Sequence, residues 1–290
     1  MDYHKDRFDD FSLLVFKKEK LVSVMPANVK DRVVYSHTGL TYGGILLHKE
    51  VKFNEAWEIY RVLFQYLSEN KIEACILKEI PTIYTTYPSD EFSYLMFILK
   101  GKLIRTDVSS SIPQQERLKI QANRIEGVKK AAKANLVIKE EAMFEDFWNK
   151  ILIPNLAKRH EALPVHSLSE ISLLQKAFPE NIKQFNVYQE NTIVGGATIF
   201  ETKKVAHVQY ISANEQRQEL GALDFLFHYL IMEKYLNKSY FDFGISNENQ
   251  GNNLNQGLLY WKECFGARTI VHQHYEIETA HYRLMDTVFL

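Results

Sequence analysis

With 290 residues, 46% of them hydrophobic and 24% charged, the chain is long enough to build two hydrophobic cores and has the balance of a globular protein. A formal net charge of −1 gives no basic face of the kind that marks a DNA-binding protein, and nowhere do about 18 apolar residues run together, so no integral membrane segment is expected. Cys75 and Cys264 lie too far apart in sequence for a CxxC pattern, which argues against a disulfide framework or a zinc site, and the charged opening MDYHKDRFDDF points to a cytoplasmic protein. Short β-type runs at 12–16, 21–26 and 32–35 lead into the phrase SHTGLTYGG at 36–44, a tight-turn segment. Residues 53–67 place Ala56, Ile59, Tyr60, Leu63 and Leu67 at three-and-four spacing, which predicts an amphipathic helix. The runs 74–77, 94–99 and 103–106 read as strands. The stretch 113–133 is basic and helical, with Arg117, Lys119, Arg124, Lys129, Lys130 and Lys133, and reads as a solvated connector.

From Asn135 the pattern becomes a strand at 136–138, a helix at 141–159 that Pro154 should kink near Ile153, and a helix at 169–177. Strands at 182–189, 192–201 and 204–212 follow with two short turns, as an antiparallel meander. A helix from about 219 to 236 precedes a short aromatic strand at 240–243. A polar loop rich in Asn, Gln, Ser and Gly then runs into a helix starting at Asn255, which Gly266 should stop, and residues 268–277 form a closing strand.

Three groups of residues mark these last joints: Asp242-Phe243-Gly244, then Asn255-x-Gly257-Leu258, then Lys262-x-x-Phe265-Gly266. Together with the element order of the second half, they resemble the GCN5-related N-acetyltransferase (GNAT) superfamily, and more narrowly the FemABX-type aminoacyl and peptidyl transferases. The resemblance implies an α+β chain of two tandem GNAT-like folds, each a mixed, largely antiparallel sheet flanked by helices. The implied domains are 1–134, including the connector at about 113–133, and 135–290.

It also implies an acyltransferase that moves an N-acetyl, aminoacyl or related group to an amine of a sugar-linked or cell-envelope precursor, directly and without a covalent intermediate. In the superfamily, donor phosphates rest on backbone N–H groups at the start of the helix after the meander, an anion site of ordinary helix-terminus type. Here that junction offers Arg217, Gln218, Gly221 and Ala222. Gln218 and Gly221 fit the family pattern, Leu223 replaces its last small residue, and Glu215 and Glu219 add negative charge. Acetyl-CoA or another acyl-CoA is the expected donor, with aminoacyl-tRNA as the alternative, and no tightly bound cofactor is expected.

Lys262 matches the lysine that neutralises charge developing during transfer. Asp242 is a candidate general base or substrate anchor, or a carboxylate capping the next loop, and Tyr260 a candidate phenol donor. Tyr42, Gly43, Gly44, His207, Tyr210, Ser246, Asn247 and Asn255 are candidate acceptor contacts. His272 and His274 share a strand face but have no third ligand, so no metal is expected. The absence of a G-x-S-x-G elbow disfavours an acyl-enzyme. The competing reading is a non-catalytic glycan or nucleotide-sugar binding module on the same tandem fold.

Overall fold

The computed structural model describes residues 6–160 and 162–289, the side chains of Arg159, His160 and Arg217 excepted. The chain forms two compact units: Met1–Val108 with Asn249–Asn252 and Val271–Leu290, and Ser109–Glu248 with Asn253–Ile270.

The first unit opens with β1 (Leu13–Lys17), β2 (Lys20–Met25), β3 (Asn28–Lys30), β4 (Val33–Tyr35) and β5 (Leu46–Leu47). Of these, β1, β2 and β5 make a small antiparallel sheet. Helix α1 (Phe53–Glu69) buries Ala56, Ile59, Tyr60, Leu63 and Leu67, the stripe its sequence spacing predicts, and adds Trp57 and Phe64 to the core. β6 (Ala74–Lys78) follows. The run 94–99, expected as a strand, instead belongs to helix α2 (Glu91–Ile98). Its buried residues are Phe92, Leu95 and Met96, continued by Leu99 just past its end, a helical spacing, whereas a strand would have alternated; Phe97 stays 66% exposed. β7 (Lys102–Pro113) runs further than the strand expected at 103–106, and its residues from Ser109 on belong to the second unit.

The second unit continues with α3 (Ala122–Lys133), β8 (Leu136–Glu141), α4 (Glu145–Phe147), a π turn at Trp148–Leu152, α5 (Ile153–His160) and α6 (Leu168–Ala177). The break expected at Pro154 takes the form of that π turn: the widened backbone just before the proline accommodates its ring and missing N–H. Ser167 caps α6 in a capping box with Glu170. The meander is β9 (Ile182–Gln189), β10 (Thr192–Glu201) and β11 (Val205–Ala213), antiparallel throughout. The single helix expected from about 219 is interrupted: α7 (Arg217–Leu220) ends at Gly221, whose φ is 67°, before α8 (Ala222–Tyr229) and a second π turn at Leu230–Lys234. Then come β12 (Tyr240–Ile245), the two-residue strands β13 (Asn247–Glu248) and β14 (Asn253–Leu254), and α9 (Gln256–Glu263).

In this unit the strand order is β7-β12-β11-β10-β9-β8. Phe241 and Phe243 of β12 point into an aromatic core with Phe185, Phe227 and Phe265, which α8 covers, while Asp242 between them turns to the other face. The final strand, β15 (Arg268–Glu278), pairs His274 to Glu278 antiparallel with β6, completing a β3-β4-β6-β15 sheet in the first unit. Among the described residues, no helix is long and apolar enough to cross a membrane.

Candidate active site

The chemistry-bearing side chains of the second unit gather where β11 and β12 separate. These two strands are parallel partners at Val205↔Tyr240, Ala206↔Phe241 and His207↔Asp242. Beyond that point β11 continues to Ala213 and β12 to Ile245, but they no longer pair with each other. Two backbone features accompany the parting. On β11, Ile199 pairs with Val208 and Thr198 with Tyr210, so Gln209 is an inserted bulge residue. On β12, Gly244 has a φ of 72°, a left-handed conformation that glycine adopts without penalty. A fork between parallel strands at their C-terminal ends is a place where a ligand can take up main-chain hydrogen bonds.

Asp242 sits at the fork and is fully buried. It accepts hydrogen bonds from Ser109 Oγ at 2.8 Å, from the Gly244 N–H at 3.2 Å and from His207 Nδ1 at 2.9 Å. A carboxylate only accepts, so Nδ1 of His207 carries a hydrogen in this contact. Gly244 also makes room for that ring, since a Cβ there would lie 3.3 Å from His207 Cε1.

Lys262 is the fully buried residue of α9. Its ammonium donates to the carbonyl oxygens of Gly244 and Ile245, both at 2.8 Å, and to Ser246 Oγ at 2.9 Å. All three of its hydrogens are therefore engaged on the turn that leaves β12. Burial pulls its pKa down to about 8, with the Asp242 charge pulling the other way. The helix that carries Lys262 is fixed by Asn255, whose side chain accepts from the Leu258 N–H at 3.0 Å and whose own N–H bonds Ser246 O at 2.9 Å. Ser246, Asn247 and Asn255 thus frame one turn, with β13 and β14 pairing at Asn247↔Leu254.

Tyr210 lies three positions past His207 on β11. Its phenol oxygen accepts the backbone N–H of His166 at 3.0 Å and meets His166 Nδ1 at 2.6 Å. His166 is buried and carries no sequence signal beyond its place in RHEALPVHS; the contact comes from folding the segment before α6 onto β11.

The donor-loop residues have a different setting. Gly221 and Ala222 are buried. A Cβ on Gly221 would fall 2.1 Å from the carbonyl oxygen of Gly127 in α3, and one on Gly127 would fall 2.0 Å from Asp224 Oδ2. Asp224 lies in the first turn of α8, where its carboxylate accepts from Arg124 at 2.8 Å and from the Trp261 indole at 3.1 Å. The positive end of α8 is thus already met by a carboxylate, and α3 lies across it. Gln218 is exposed, and the side chain of Arg217 lies outside the described residues.

The remaining candidates belong to α9 and to the first unit. Tyr260 is 56% exposed on α9. Tyr42, Gly43 and Gly44 belong to the first unit, where Gly43 packs against Ser36 O and Tyr42 meets Tyr84 with the rings tilted at 38° and their centroids 4.5 Å apart. The loop they end is organised by Lys78, whose ammonium donates to the carbonyls of His37, Thr38 and Leu40. Among the described residues, no three His, Cys, Asp or Glu side chains stand close enough to hold a metal ion.

No family model and no curated protein sequence matches the chain. Solved structures do. The chain is similar to FemX at 12% identity, with 98% of this chain and 92% of that one covered and a TM-score of 0.64. It is similar to L-PGS from Bacillus licheniformis at 10% identity, with 94% and 87% covered and a TM-score of 0.64. It is also similar to a tandem GNAT protein from the clavulanic acid biosynthesis pathway, at 6% identity with 94% and 85% covered and a TM-score of 0.50. At these identities the likeness is one of fold, and the fold is α+β with GNAT-like units in tandem.

Proposed function

We propose that this tandem GNAT-like chain is an N-acyltransferase that moves an acetyl, aminoacyl or related group directly onto an amine of a sugar-linked or cell-envelope precursor. The observation that carries the reading is the fork: parallel strands that part at a buried Asp242–His207 pair, beside a turn held by a buried lysine. A fork offers main-chain groups to an acyl donor, and the His207 imidazole, held through Nδ1 by Asp242, suits proton transfer from an attacking amine. Charge building on the acyl oxygen would be met electrostatically by Lys262, whose ammonium is excluded from water. In this role Lys262 acts from its place beneath the Gly244–Ser246 turn, because its hydrogens are already engaged there.

The donor is an acyl-CoA or an aminoacyl-tRNA. The covered start of α8, with Asp224 in its first turn, favours the second, because a pyrophosphate resting there would face a carboxylate and displace α3. The resemblance of the motif series to FemABX-type transferases supports the same preference.

The test is a thermal titration of the intact chain with acetyl-CoA, free CoA and alanyl-tRNA, followed by a transfer assay with whichever donor stabilises it. A ligand at a hundredfold excess over its dissociation constant should add about 2.7 kcal/mol. Stabilisation by a donor with turnover supports the proposal. Stabilisation by glycans or nucleotide-sugars alone, with no response to either donor, would make the chain a binding module.

A further inference from the structure

We infer that Ser109 is a positioning residue for acyl transfer: its hydroxyl holds the Asp242 carboxylate by Oδ1 and so keeps Oδ2 turned toward His207. The effect on turnover rests on the acyl-transfer reading, which it deepens. The setting of the carboxylate rests on geometry alone.

Strand register brings the two side chains together. β7 and β12 run antiparallel, with Ser111 opposite Asp242 and Ser109 opposite Ile245. Between those pairs β12 takes three steps and β7 two, so β12 bulges at Phe243 and Gly244. Ser109 and Ser111, two positions apart, share the sheet face of Asp242, opposite the aromatic core that takes Phe241 and Phe243. The bulge turns the Gly244 N–H back onto the same carboxylate oxygen that Ser109 reaches from β7. Oδ1 accepts from Ser109 Oγ at 2.8 Å and from Gly244 N at 3.2 Å, while Oδ2 meets His207 Nδ1 at 2.9 Å. Two donors on one oxygen, supplied by two strands, resist rotation of the carboxylate about its Cβ–Cγ bond.

The residue type points the same way. Ser109 is fully buried on β7, which lies between β15 and β12 in the sheet. At such a place a β-branched apolar side chain packs better than serine, and a buried hydroxyl is costly unless it finds a partner. Ser111, buried on the same face, reaches the Phe241 carbonyl at the longer distance of 3.4 Å. Of these two serines, Ser109 is the one whose hydrogen is directed at a charged acceptor, and such bonds are roughly twice as strong as neutral ones.

The test compares Ser109→Ala with Ser111→Ala in the full chain, since both remove a buried hydroxyl from one strand face. The first readout is the infrared difference spectrum of protein made with isotope-labelled aspartate, the Asp242 bands being assigned with Asp242→Asn. A carboxylate doublet is expected in the parent protein, shifted in Ser109→Ala and unmoved in Ser111→Ala. A carboxylic-acid band in the parent, or a doublet that ignores Ser109→Ala, would overturn the inference whatever the reaction is. The second readout is transfer from acetyl-CoA or alanyl-tRNA to a lysine-bearing peptide, with each variant's melting checked. Ser109→Ala should lower kcat about 10-fold with KM little changed, the scale of one hydrogen bond to a charged group. Ser109→Cys, close in size but a weaker donor, should fall between, and Ser111→Ala should stay near the parent. A rise in KM at constant kcat, or equal losses in the two alanine variants, would leave Ser109 a packing residue and reject the role. If neither donor supports transfer in the parent protein, the acyl-transfer reading and the effect on turnover fail together, while the infrared bands still decide how the carboxylate is held.

Discussion

Lys262 holds a charge inside the second unit by giving each of its hydrogens to the turn after β12. Replacing it with methionine keeps the bulk and leaves two carbonyls and a hydroxyl without their donor, which should destabilise the chain by about 2 kcal/mol in urea unfolding. The same lysine gives a pH signature. Its pKa is about 8 in the fold against 10.5 unfolded, so the cost of burying its charge is present in full below about 8. Between about 8 and 10.5 the unfolded chain binds more protons, and this group's contribution makes stability rise with pH. Lys78 in the first unit, lowered by burial to about 8 as well, acts in the same direction. Lys262→Met should therefore reduce the slope without abolishing it; an unchanged slope would show that Lys262 titrates normally. Asp242→Asn keeps the shape but removes the acceptor that orients His207, and should lower kcat about 100-fold or more with little change in KM. Asp242, Gly244 and Lys262 were legible as letters because they sit at the joints of a motif. Their partners were not: Lys262 bonds main-chain oxygens, which no sequence records, and Ser109 lies 133 positions from Asp242.

At the scale of elements, the sequence shows what depends on local period and hides what depends on contact. The three-and-four stripe of α1, the meander, and the Asn255-capped α9, which stops at Glu263 shortly before the left-handed Gly266, are all local and readable. The apolar run in α2 satisfied a strand as well as a helix until its buried set was known. The Gln209 bulge and the fork arise from pairing across strands and leave no local trace. Likewise, Gly221 suited a phosphate loop in sequence, yet in the fold it is where α3 and α8 touch, with Gly127 as its counterpart. Gly127→Ala should cost about 2–3 kcal/mol, since the new methyl meets the Asp224 carboxylate and the helices must separate. Chemical denaturation showing no loss would mean that α3 moves freely over the start of α8, and would reopen that terminus to a donor phosphate.

For the whole molecule, the decisive fact is that the compact units do not follow chain order. The strand that completes the sheet of the first unit is β15, from the far end of the sequence, and its partner β6 was laid down nearly two hundred residues earlier. Periodicity identifies β15 as a strand but is silent on which strand it joins. Ending the chain after Ile270 should consequently strip amide protection from β4 and β6 while leaving β9, β10 and β11 protected in hydrogen exchange. Loss of protection in all of these strands together would mean that the units unfold as one.

That arrangement reverses the usual order of events on the ribosome, where a domain nearer the N-terminus is free to fold before the next one is made. Here the second unit has all its strands once Ile270 has emerged, whereas the first must wait, with one edge of β6 uncovered, for the residues up to Glu278. A nascent chain halted between those two points carries a finished C-terminal unit and an exposed strand edge in the N-terminal one, the kind of surface that trigger-factor-like chaperones shield and that aggregation exploits.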